Sequence, residues 1–153
     1  MRIPLVRVAA LIIAGALAPS AAAAALKPFT GPVGWDHTIA ATATPALPRS
    51  QEAWKKSDGE QLIYLADAGL AYDDMVGQVK KNVADNNMKP SLVKDRTCAG
   101  QRAYEIELPI GASIVHQIIV DDAPGVTKLT YLRPQGAPPS PVVVSAFEAY
   151  CGS

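Results

Sequence analysis

Few side chains in this chain have the type and spacing that chemistry demands. His37 and His116 are its only imidazoles, the groups best suited to general base work near neutral pH. In "ASIVHQIIV", His116 shares strand parity with Ile114, Ile118 and Val120, so it is expected to point to an apolar side as a satisfied, partly buried group. A hydrolase would need it in an open cleft, within hydrogen-bond reach of a serine or carboxylate; Ser113 is only a neighbour in sequence. His37 adjoins Asp36 and Trp35, but adjacent strand residues face opposite ways, so Asp36 and His37 would not act together. Zinc needs three or four convergent ligands, and two separated histidines fall short. Asp121 and Asp122 in "DDAPG" lack the spacing of a calcium loop and read as turn carboxylates; Asp73 and Asp74 read as helix-start carboxylates. There is no G-x-S-x-G, P-loop or G-x-G-x-x-G. The sequence therefore assigns no catalytic residue, metal or cofactor, and it points away from an enzyme more than toward one.

Binding is the other use of a side chain. Trp35 and Trp54 are residues that strands usually bury, yet a pair of exposed aromatics makes a ligand platform. If a groove for a small molecule or peptide exists, the surface near Trp35, Trp54 and Tyr64 is where it is expected. A nucleic-acid partner is not expected, because "WKK" and "VKK" are isolated pairs and no basic face is formed.

The only two cysteines, Cys98 and Cys151, bear on location. The chain opens with Arg2 and Arg7, an apolar run from Val8 to Leu17, a Pro-Ser break and a series of alanines. These are the parts of a secretory signal peptide, with cleavage after any of Ala22 to Ala25. The run is roughly half of the ~20 residues that span a bilayer, and no cysteine near the site suggests a lipid anchor. Residues 1–25 are thus expected to be removed, leaving 26–153 as one periplasmic or secreted domain with no membrane span. Losing two arginines tips the balance of 14 basic and 14 acidic residues to about −2. In an oxidising compartment an even cysteine count invites a Cys98–Cys151 disulfide, with free thiols or an intermolecular bridge as alternatives. No C-x-x-C motif or nearby histidine would activate either sulfur.

The elements that must hold these residues follow from periodicity. "VGWDHTIAATA" is a first strand, and two extended runs join around Asp58-Gly59 in a hairpin. Its second arm, Leu62 to Ala66, is continuously apolar and suits an interior strand. Tyr72, Met75, Val76, Val79 and Val83 form the stripe of an amphipathic helix that stops near Asn86 and Asn87. Gly77 within it is expected to permit close packing on a strand. Four extended runs follow as a meander. In "QRAYEIELP" Tyr104, Ile106 and Leu108 point one way, while Ala103, Glu105 and Glu107 mark a wet face. Ser140 and Pro141 start a terminal helix whose stripe is Val143, Ala146, Phe147 and Tyr150. The fold class is α+β: an antiparallel sheet of about six to seven strands, packed by one central and one C-terminal helix.

"GW" near the start, a hairpin leading to "GEQLIYLAD", "YDDMVGQVKKNV" as the long helix, a meander and a terminal helix resemble the Mog1/PsbP/DcrB-like fold family. The resemblance spans most of the chain from Trp35 onward and includes no diagnostic motif. It implies an accessory, binding or scaffold role, such as an envelope factor, and carries no binding residue over to this chain. Three expectations stand: an exported non-catalytic binding domain, a small secreted hydrolase using His116, or a structural envelope protein.

Overall fold

Three of the sheet's hairpins reverse at residues held in left-handed backbone. In a computed structural model that describes residues 27–152, β1 (Asp36–Ala41), β2 (Arg49–Lys55) and β3 (Gln61–Asp67) precede α1 (Tyr72–Asp85). Then come β4 (Leu92–Cys98), β5 (Gln101–Ile110), β6 (Ser113–Asp122), β7 (Gly125–Pro134) and α2 (Pro141–Cys151). Gly59 at φ +94°, Ala99 and Gly100 at +52° and +77°, and Gly111 at +59° turn the hairpins. The arginine-led segment lies outside the described residues.

The seven strands form one antiparallel sheet in the order β1-β2-β3-β7-β6-β5-β4. The β4–β7 meander is as the sequence suggests, and one long-range pairing, β3 with β7, joins it to the first three strands. That junction depends on Gly125. A Cβ there would lie 2.0 Å from the Asp67 carbonyl oxygen, so only glycine lets the two strand ends meet.

Alternate residues of the strands feed two cores. On one face Tyr104, Ile106, Leu108, Ile119 and Val126 pack under Tyr72, Met75 and Val76 of α1. On the other, Leu62, Tyr64, Ile118, Leu129 and Tyr131 pack against Val143, Phe147 and Tyr150 of α2. The sheet is therefore covered on both sides, which corrects the wet face expected for β5: Glu105 is only 4% exposed. Gly77 is also corrected. It lies on the exposed side of α1, and a Cβ there would meet nothing within 4 Å, so no close approach requires it.

α2 begins at Ser140 and Pro141 as expected, but the Ser140 side chain makes no capping bond. Its backbone N–H instead donates to the Tyr131 hydroxyl (3.0 Å), and its carbonyl accepts from Val143 and Val144. The other end is fixed covalently, since Cys98 and Cys151 form a disulfide with Cα atoms 4.1 Å apart. Both cysteines are buried, and Ala99 N–H donates to the Cys151 carbonyl beside the bond. Such a bond fits an oxidising, extracellular compartment.

Candidate functional site

Strand alternation gathers a set of charged side chains beside α2. Lys94 and Arg96 share the face of Cys98 on β4, and Glu105 and Glu107 share that face on β5. The β5–β6 register sets Glu107 opposite His116 and Glu105 opposite Ile118. Glu105 reaches diagonally to His116, with Oε1 2.7 Å from Nε2. Its other oxygen accepts from Arg96 (3.0 Å) and Lys94 (3.2 Å). Burial alone would push this carboxyl up, but the hydrogen bonds from His116, Arg96 and Lys94 outweigh it and hold it down to about 2. On the same face, Glu107 forms a separate set and accepts from Arg133 (3.0 Å) and Ser91 (2.9 Å).

Between these charges and α2 lies a cleft of about 240 Å³. Phe147, Val143 and Val144 of α2 and Ile118 of the sheet form its apolar walls; Arg96, Glu105 and His116 line it from the strands, and Glu148 from the helix. The His116 ring stands edge-on to Phe147, centroids 5.7 Å apart, so the imidazole is fixed on two sides. Arg96 uses one guanidinium nitrogen on Glu105, and Glu148 has no ion-pair partner among the described residues. The cleft thus offers spare donors on one wall and a free carboxylate on the other. Tyr131 also lines it; its hydroxyl donates to Glu60, and burial, then that carboxylate, push the phenol up to about 12. Near neutral pH it is a fixed neutral donor and not an acid-base group.

A carboxylate–imidazole pair is half of a nucleophilic apparatus, and the other half is missing among the described residues. Ser113 has the opposite parity to His116 on β6, so it faces the α1 side. Among the described residues no serine or threonine hydroxyl is hydrogen-bonded to His116, and both sulfurs are in the disulfide. Asp121 pairs with Arg102, and Asp122 accepts from Thr127 and Tyr150, so this acidic pair fastens the end of β6. No group of three or more metal-ligating side chains occurs among the described residues.

The aromatic surface suggested by sequence is arranged differently. Trp54 and Tyr64 are 7% and 4% exposed, and Phe29 covers them, stacked on Tyr64 at 5.7 Å and tilted against Trp54 at 5.5 Å. Gly31 lets this leading segment lie flat, since a Cβ there would sit 2.2 Å from the Trp54 ring. Trp35 is half-buried and packs against Tyr131, and His37 stacks on Trp54 at 5.1 Å. The structure brings Trp54 and Tyr64 together under Phe29 and leaves Trp35 at the margin. Glu105, Arg96, Phe147 and Glu148 are the cleft residues that sequence reasoning missed. The one available signal was a pair of glutamates on a strand next to a strand bearing Lys94 and Arg96.

Fold and cleft together define an α+β domain with one antiparallel sheet between two helices and a charged cleft beside the second. No helix among the described residues is long and apolar enough to cross a membrane. No protein-family model, curated protein or solved structure matches the chain.

Proposed function

We propose that this chain is a non-catalytic accessory or binding domain of a periplasmic or secreted fraction, and that the cleft beside α2 holds its ligand, a small molecule or a peptide segment. The observation that carries this is the lining of the cleft: Arg96 on β4, which spends one guanidinium nitrogen on Glu105, and Glu148 on α2, unpaired among the described residues, share it with Phe147 and Val143. That arrangement suits a ligand with an acid group, a cationic group and an apolar portion, such as a short peptide. Glu105 already accepts from three donors and serves to hold Arg96 and His116 in place. A Mog1/PsbP/DcrB-like fold is part of the proposal, supported by the order of strands, helix, meander and helix.

A second reading rests on one distance. His116 sits 2.7 Å from Glu105 in a cleft, the carboxylate contact that a hydrolase would use. Assays with a panel of ester and dipeptide substrates separate the two. Binding without turnover, weakened at least about tenfold in Arg96→Gln and Glu148→Gln, supports the binding domain. Turnover abolished in a His116→Gln variant that melts normally would replace it with the hydrolase.

A further inference from the structure

On the opposite face, the apolar stripe of α1 is not used up by the sheet. Tyr72, Met75 and Val76 are buried, whereas Val79 and Val83, further along the same stripe, are only half-buried. What remains is a groove of about 530 Å³, within the ~300–1,000 Å³ usual for small-molecule sites. Met75, Val79 and Met88 line it from the helix side, and Leu108, Ile110 and Val115 from the sheet. Ile110 is 44% exposed, so apolar surface continues to the groove's rim.

One cation stands in this lining without a counter-charge. Lys128 lies on β7 between Leu65 of β3 and Ile119 of β6, and it makes no ion pair or hydrogen bond among the described residues. The other lysine of the groove, Lys81, is paired with Asp85. Burial, and then the like charge of Arg49, hold the Lys128 amine below its ordinary value. An acceptor anion placed on it would relieve both effects.

We propose that this groove binds a monomeric alkyl carboxylate, a fatty-acid anion, with its carboxylate on Lys128 and its chain laid along Met75, Val79 and Leu108. An apolar strip that ends at Lys128, flanked on the helix side by Gln78, Asn82 and the mutually paired Lys81 and Asp85, matches an amphiphile with one acidic head. A neutral alkyl chain would leave the amine unsatisfied, and a dianion would lack a second partner. Gln117, also in the lining, donates one amide N–H to Thr130 (3.4 Å), and its second N–H is left for the second carboxylate oxygen.

The test is calorimetric titration of the protein with dodecanoate and with dodecanol, below the concentration at which either aggregates. Wild type should bind dodecanoate saturably and at least about tenfold tighter than dodecanol, as one charge-assisted contact predicts. Lys128→Met should erase that preference while leaving dodecanol affinity unchanged, and Val79→Trp, which fills the groove, should weaken both. Equal affinity for the two ligands, no saturable binding, or a preference that survives in folded Lys128→Met would overturn the proposal. So would binding confined to phosphatidylglycerol vesicles, which would make the face a membrane contact. If Lys128→Met does not fold, Lys128→Gln and Val79→Trp decide the matter by the same two affinities.

Discussion

Glu105 shows how a side chain's neighbours decide its role. Its folded carboxyl titrates at about 2 against an ordinary 4.5, so its ionised form stabilises the fold fully above pH ~4.5. That contribution, up to about 3 kcal/mol, is lost as pH falls toward 2. Denaturant melts at pH 7, 4.5 and 3 should therefore show a steep acid loss in wild type and a shallower one in Glu105→Gln. Identical slopes would contradict the network. Two glycines make opposite predictions. Gly77→Ala, with open space around the new methyl, should stabilise by about 0.5–1 kcal/mol. Gly125→Ala, which drives a methyl into the Asp67 backbone, should cost roughly 3 kcal/mol or more, read from the same melts. The face that His116 takes was legible because strand parity alone determines it. Its partner was not, because the diagonal to Glu105 depends on the β5–β6 register, which is fixed only once the turn at Gly111 and Ala112 has a known type and length. Glu105 looked solvent-facing for the same reason: the cations that neutralise it sit on a neighbouring strand.

α2 is held by unequal fastenings at its two ends. Its start has only the Ser140–Tyr131 hydrogen bond and the packing of Val143, while its last residue is bonded to Cys98 across a separation of 53 residues. Reduction should lower stability by up to ~4 kcal/mol and free the last turn of α2 first, while β5 to β7 keep their protection. Hydrogen exchange with and without reductant checks this, and unchanged protection of Val142 to Tyr150 after reduction would contradict it. Both sulfurs are buried, so reduction should be slow until the helix end opens. The helices and the meander could be read from sequence because their periods and turn residues are local. The role of Phe29 could not. A Pro- and Gly-rich leader has no period, and only the structure shows it covering Trp54 and Tyr64, two residues that otherwise resemble a ligand platform.

For the whole molecule, the proposal joins an oxidising location to a binding cleft. The exported protein should begin between Ala22 and Leu26, and intact mass will show it; a retained Met1 in the exported fraction would refute export by cleavage. The disulfide then has a positional consequence, because it joins the two walls of the cleft, β4 with Arg96 and α2 with Glu148. The sequence revealed the cysteine pair, but that it spans a cleft could be known only once β4 and α2 were seen side by side. The most direct test of the binding proposal is an amide-resolved NMR titration with short peptides bearing an apolar side chain and free termini. Saturable shifts centred on Arg96, Glu105, His116 and Val144 to Glu148, lost in Arg96→Gln and Glu148→Gln, are the predicted result. Shifts confined to other surfaces, or cleavage of the peptide that requires His116, would contradict it.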